Sequence, residues 1–448
     1  MALPPLEDTI SAIATAPGQG AIGIVRLSGE GSYRIADSLF RPRSQEAPST
    51  LAAGRVVYGH LEGSGGLLDE ALLLTFRAPH SYTGQDAVEF QTHGGPAVLR
   101  QLLEECLRQG ARLAKPGEFT LRAYLNGRLD LVQAESVLEI IQAQSDSALR
   151  NAALGLTRVL SVRLEHIQQM VTQVLAGIQA LLDYPEEGLP TTEFQIPLSQ
   201  AIGEIDRLLA TTRAGAISRR GARLVLLGKP NVGKSSLLNA LLGYQRSIVS
   251  ELPGTTRDYL EAPMTVEGIP ITTIDTAGIH FTRNRIEAAG VATAKELAAN
   301  SDLCVCLLDR SRPLSEEDEE LLCNLDDKRT LVVANKVDLP PAWLAEELGL
   351  TVIEVSAIDG SGLDALREDI RSALIGNVET SELWISNERH AEALRRARDY
   401  LYRAREAADD LAALDLEDAL RALAEITGRG TIAEDTLEHI FANFCVGK

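Results

Sequence analysis

The stretch GKPNVGKSSLLNALLG, Gly228 to Gly243, constrains the fold more than any other part of the chain. It fits G-x-x-x-x-G-K-[ST] at Gly228, Gly233, Lys234 and Ser235, with the apolar run ARLVL before it and a helical pattern after it. Strand, glycine-rich turn and helix in that order build a phosphate cradle. Glycines let backbone N–H groups turn inward, and a helix N-terminus favours an anion. Asn231, Val232, Gly233, Lys234, Ser235 and Ser236 are the candidate phosphate contacts. Lys234 would bridge the terminal phosphates and Ser235 would bind Mg2+.

Three further segments follow in the order that a nucleotide site needs. DTAG, Asp275 to Gly278, ends the apolar run ITTI, so Asp275, Thr276, Ala277 and Gly278 would stand beside Mg2+ and the γ-phosphate. NKVD ends the run TLVVA, which puts Asn335, Lys336 and Asp338 at the carboxyl edge of a parallel sheet, where ligands bind. Asp338 would accept the two N–H donors of guanine, which adenine lacks, so the base is read as guanine. SAIDG, with Ser356 and Ala357, suits a loop closing over it. ELPGTTRD lies between cradle and DTAG, and its Glu251, Leu252, Pro253, Gly254, Thr255 and Thr256 form a candidate switch. Thr256 is the expected Mg2+ ligand and Thr255 its rival. Ile279 follows DTAG where many GTPases carry a water-orienting Gln, and an alkyl chain cannot do that.

A chain of 448 residues exceeds one core, so several domains are expected. Residues 1–126 mix β-like runs (AIGIVRLSG, RVVYGHLE, ALLLTFRA, AVEFQTHGG) with the helical GPAVLRQLLEECLRQG, an α+β pattern. Residues 127–220 turn to long helices, with Leu160, Leu164, Ile167, Val171, Val174, Ile178 and Leu181 on one seam. Residues 221–377 alternate strands and helices in the α/β manner, and 378–448 return to helix. Two helical blocks around one α/β unit predict a bundle into which that unit is inserted.

The net charge of −20 disfavours a polyanionic partner overall, so any RNA contact must be local. The basic run carrying Arg389, Arg395, Arg396, Arg398, Arg403 and Arg405 reads first as a solvated helix face balanced by acids. Five cysteines without CxxC spacing support neither a disulfide framework nor zinc, and Cys304 and Cys306 read as core. No apolar run is long enough to span a bilayer, and the N-terminus has no leader pattern, so a cytoplasmic protein is expected.

GKPNVGKSS, PGTTRD, DTAGI and NKVD, together with APGQGAIGIVRLSG, KPGEFTLRAYLNGRLDL, DYPEE and the terminal FCVGK, resemble the MnmE (TrmE) family of tRNA-modification GTPases. The fold this resemblance implies is multidomain: an N-terminal α+β folate-binding and dimerisation domain, then a helical bundle interrupted by an inserted P-loop (Ras-like) G domain. It implies GTP hydrolysis serving C5 modification of the tRNA wobble uridine, with 5-formyltetrahydrofolate or a related folate as one-carbon source. The implied partners are a second copy of the chain, an FAD-dependent protein of the MnmG type, and tRNA, with no membrane. Folate contacts fall on Arg26, Glu89, Arg128 and Lys448, where position 128 keeps the basic character of the family's Lys. K+ falls to Asn231, Ser250, Leu252 and Thr255, and a water-orienting role to Glu287. Cys445 would serve as a nucleophile, with a prenylation box as the rival reading of CVGK. The competing functional reading is a regulatory or ribosome-associated GTPase switch whose flanking domains only bind partners.

Overall fold

Apolar and polar residues alternate along the N-terminal strands, and a strand places alternate residues on opposite faces of its sheet. The computed structural model describes residues 7–184, 192–243, 261–275, 301–323, 330–376, 382–430 and 433–448. In chain order the first elements are β1 (Ile10–Ile13), β2 (Gly20–Ser28), α1 (Ser32–Leu39), β3 (Phe40–Pro42), β4 (Val56–Gly63), β5 (Gly66–Phe76), β6 (Ala87–Gly94), α2 (Pro96–Arg108), β7 (Arg112–Leu113) and α3 (Glu118–Leu125). The sheet order is β3-β4-β5-β6-β2-β1-β7, antiparallel except for the β1/β7 pair. Val25, Leu27, Leu61, Leu73 and Phe90 form its buried face with Leu99 and Leu102 of α2. Arg26 and Glu89, one residue out of phase with that core, are left directly opposite each other across β2 and β6.

The middle of the chain supplies α4 (Leu131–Gln142), α5 (Asp146–Leu156), α6 (Val159–Asp183), α7 (Thr192–Ala210) and α8 (Thr212–Arg220). The expected seam on α6 is buried from Leu160 to Ile178. Next come β8 (Ala222–Leu227), α9 (Lys234–Leu242), β9 (Glu261–Val266), β10 (Ile269–Asp275), β11 (Leu303–Asp309), α10 (Glu316–Cys323), β12 (Thr330–Asn335), β13 (Val352–Val355) and α11 (Leu363–Ile375). Their sheet runs β13-β12-β11-β8-β10-β9 and is parallel apart from the β9/β10 pair. Both of its faces are covered, which accounts for the apolar runs of the central strands β8, β11 and β12. On β11, Val305 and Leu307 enter one core while Cys306 and Leu308 enter the other. Burial pushes the Cys304 and Cys306 thiols up to about 12, consistent with packing rather than chemistry.

The chain ends in α12 (Glu388–Glu406), α13 (Asp409–Thr427) and α14 (Glu434–Ala442). Two compact units result, each from separated segments: Met1–Leu138, Gly155–Val162 and Arg421–Lys448 in the first, Glu139–Leu154 and Arg163–Leu420 in the second. In the second, α12 packs along α7, joining helices from before and after the parallel sheet. In the first, Leu437, Ile440, Phe441 and Phe444 pack with Leu121, Leu131 and Ala134. The last helix therefore packs on α3 and α4. Among the described residues no helix is long and apolar enough to cross a membrane.

Candidate functional site

Register aligns the carboxyl ends of the parallel strands: Asp309 lies beside Asn335, Asn335 beside Val355, and Asp275 beside Leu226. The loop from Gly228 to Gly233 leaves β8 at that edge and delivers Lys234 to the start of α9. Its backbone is left-handed at Asn231 (φ 66°) and Gly233 (φ 101°), and Gly228 lies at φ 146°. A Cβ on Gly228 would strike the Leu307 carbonyl, and one on Gly233 would strike the Asn335 amide, so both positions require glycine. Lys234 Nζ donates to the carbonyls of Gly228 (2.7 Å) and Lys229 (2.9 Å), spanning the loop. Val232 is buried, while Asn231, Ser235 and Ser236 are accessible where the first turn of α9 leaves its N–H groups without intrahelical acceptors.

The loops after β12 and β13 are bonded to this cradle. Asn335, 2% exposed, donates through Nδ2 to the Val232 carbonyl (2.8 Å) and accepts through Oδ1 from the Ala357 N–H (3.1 Å). Ser356 is buried and its hydroxyl donates to Asp338 Oδ1 (2.7 Å). Lys336, itself at φ 70°, donates through Nζ to the Asn231 carbonyl (2.9 Å) and to Asp309 Oδ2 (2.6 Å). Burial alone would raise the Asp309 carboxyl, but hydrogen bonds from Lys336 and Ser311 outweigh it and hold the group below its usual range. Lys229 Nζ reaches Asp318 (3.0 Å), Glu317 (3.3 Å) and the Ser315 hydroxyl, tying the second loop residue to the start of α10.

A second cluster forms in the first unit. Arg26 Nε donates to Glu89 Oε1 (2.7 Å), and Arg26 Nη1 donates to the Gly447 carbonyl (3.3 Å). The terminal residues are held by main-chain bonds, Gly117 N–H to the Cys445 carbonyl (3.4 Å) and Phe119 N–H to the Lys448 main-chain oxygen (3.2 Å). The Arg26 and Arg128 guanidiniums lie 5.7 and 5.3 Å from the ring centre of Tyr82, whose hydroxyl pairs with that of Thr120 (2.9 Å). Burial lowers the Lys448 ammonium, and the Arg26 charge lowers it further, against an opposing pull from Glu89. Arg26 and Arg128 thus share one aromatic ring, Glu89 is bonded to Arg26, and Lys448 lies within electrostatic reach of that pair. Cys445, three residues before Lys448, is exposed.

Several expected residues lie outside the described ones: Ser250, Glu251, Leu252, Pro253, Gly254, Thr255, Thr256, Thr276, Ala277, Gly278 and Glu287. For Asp275 the backbone at the end of β10 is described. The basic run on α12 is balanced by acids: Arg395 pairs with Glu388, Arg398 with Asp206, and Arg403 with Asp415. Two participants had no sequence signal of their own. Tyr82 is one aromatic residue in a loop, and Asp309 is one acid at a strand end, each without partners at a telling spacing.

The family description "MnmE helical domain" matches residues 131–445, and "GTP-binding protein TrmE N-terminus" matches residues 9–128. The chain is 49% identical over 445 residues to a tRNA modification GTPase MnmE of Thermus thermophilus, covering 99% of this chain and 100% of that one. It is 45% identical over 457 residues to the tRNA modification GTPase MnmE of Chloroflexus aurantiacus, at 99% and 100% coverage. Among solved structures, the G domain of the T. maritima FeoB iron transporter is 28% identical, at a TM-score of 0.26 over 34% of this chain and 98% of that one.

Proposed function

The chain belongs to the MnmE (TrmE) family of tRNA-modification GTPases, and from that premise we propose how its residues divide the work. The protein is a GTPase acting in tRNA modification. Its cradle binds the phosphates, and the Asn335 side chain carries the reading: one amide joins the Val232 carbonyl to the Ala357 N–H, so the guanine loop and the phosphate loop set each other's position. Asp338, oriented by Ser356, accepts from guanine N1 and N2.

In catalysis the N–H groups of residues 231–235 and the Lys234 ammonium stabilise charge on the β- and γ-phosphates. To reach them, Lys234 exchanges its two loop carbonyls for phosphate oxygens. The accessible Ser235 hydroxyl, at the first turn of α9, fits a Mg2+ ligand, with Thr256 as its counterpart. Bound Mg2+ neutralises phosphate charge. The exposed Asn231, held by its φ of 66° and by Lys336, fits a K+ ligand alongside Ser250, Leu252 and Thr255. Bound K+ supplies the positive charge that an arginine finger gives elsewhere. Glu287 orients the attacking water in place of the Gln that Ile279 does not provide.

Arg26, Glu89, Arg128 and Lys448 fit the polar groups of a folate, Glu89 accepting from its N–H donors and the cations pairing with its oxygens, with the Tyr82 ring as a stacking surface. Folate brings the one-carbon unit for C5 of the wobble uridine. The proposed working form is a homodimer whose G domains meet during turnover, acting in the cytoplasm with an FAD-dependent partner of the MnmG type. Cys445 is the proposed nucleophile toward the uridine. Mass spectrometry of tRNA from cells lacking the protein tests the reading. Wobble uridines should lose their C5 substituent, and unchanged modification would contradict it.

A further inference from the structure

In the first unit, the loops flanking α3, α6 and α13 enclose a cleft of about 390 Å3 bordered by Arg128, Asp130, Gln133, Arg158, Gly428 and Arg429. That volume falls within the ~300–1,000 Å3 of typical ligand sites. Its floor is fixed by short bonds. Tyr124 Oη donates to the Gly428 carbonyl (2.7 Å), and Gln133 Nε2 donates to the Leu156 carbonyl (2.8 Å). Asp130 accepts from the Ser161 hydroxyl at 2.6 Å and from the Gln133 N–H at 2.9 Å. Arg158 Nε approaches that carboxylate to 3.7 Å, from a side chain 45% exposed. Its backbone sits at φ 63°, a conformation that suits glycine, yet the position carries a guanidinium.

Three guanidiniums therefore border the cleft together with one carboxylate, a local excess of positive charge on a chain of net charge −20. Guanidinium forks match phosphate oxygens two at a time, and RNA affinity comes largely from such contacts. We propose that this cleft binds backbone phosphates of the tRNA substrate, with Arg158 and Arg429 as the anchoring cations. The proposal rests on the tRNA-modification reading. Arg128, shared with the Tyr82 cluster, is left unchanged in its test.

Wild type, Arg158→Gly/Arg429→Gln and Arg158→Lys/Arg429→Lys are titrated with fluorescein-labelled tRNA across ~50 to ~200 mM KCl. Labelled 5-formyltetrahydrofolate binding and GTP hydrolysis are measured on the same preparations. The charge-removing pair should bind tRNA more weakly, with its log–log salt slope reduced by about two. The lysine pair should restore the slope but not the full affinity, because lysine lacks the fork. Folate affinity and GTP hydrolysis should stay at the wild-type level in both. Glycine at 158 suits the native backbone, and the lysine pair keeps the test decisive should the other variant fold poorly. Unchanged tRNA affinity and slope would overturn the proposal alone. So would a loss of folate affinity in place of tRNA affinity, which would assign the cleft to folate carboxylates. Wild-type protein without measurable tRNA affinity would overturn the proposal together with the reading beneath it.

Discussion

Asp338 is positioned by a neighbour rather than by burial. The Ser356 hydroxyl holds one of its oxygens, and the residue is otherwise exposed at the sheet edge, where a base can meet it. A carboxylate only accepts hydrogen bonds, which selects the paired donors of guanine. An amide offers one acceptor and one donor, the complement of a base with N1–H beside C2=O. Asp338→Asn should therefore lose GTP affinity by at least ~100-fold and gain xanthosine triphosphate, since mispaired buried polar groups are costly. Competition binding with the two triphosphates checks this, and unchanged guanine preference would remove Asp338 from the base site. The NKVD residues were legible because their spacing is tied to one geometry. Asp309 was not, since its value comes from Lys336 lying 2.6 Å away after the fold has formed.

At the scale of elements, the phosphate loop and its flanking strand and helix were legible because glycine spacing and apolar runs act locally. The seat of the last helix was not. α14 is amphipathic like its neighbours, and only contact with α3 and α4 shows which apolar stripe it covers. Two glycines permit close approaches here, Gly117 against α14 itself and Gly447 against the end of β1. At Gly117 (φ 66°) a Cβ would lie 2.6 Å from the Phe441 carbonyl, and at Gly447 (φ 97°) it would strike the Ile13 carbonyl. Gly447→Ala should displace the terminal tail and with it Lys448, weakening binding of labelled 5-formyltetrahydrofolate at least ~10-fold, since a shifted cation loses a charge-assisted bond. GTP affinity should not change. Folate affinity equal to wild type would show that the tail does not form part of that site. Arg26 and Glu89 were placed by resemblance, and their contact is explained by strand register.

At the scale of the whole molecule, the division into α+β and α/β parts followed from strand patterning, whereas the two compact units did not. Each joins segments far apart in the chain, and composition carries no trace of such pairing. The proposed joining of two G domains around K+ belongs to this scale as well. Hydrolysis in KCl should exceed that in NaCl by at least ~10-fold if the ion replaces an arginine finger, and equal rates in the two salts would remove the Asn231 site. Beneath all of this lies one claim, that the Gly228–Ser235 loop and the NKVD and SAI loops together hold a guanine nucleotide. Titration calorimetry of the purified full chain with Mg2+ tests it most directly, using GDP, a non-hydrolysable GTP analogue and the matching adenine nucleotides. Saturable one-site binding of both guanine nucleotides and none of the adenine ones is expected. Absence of heat with GDP and the analogue, or equal affinity for adenine nucleotides, would contradict it.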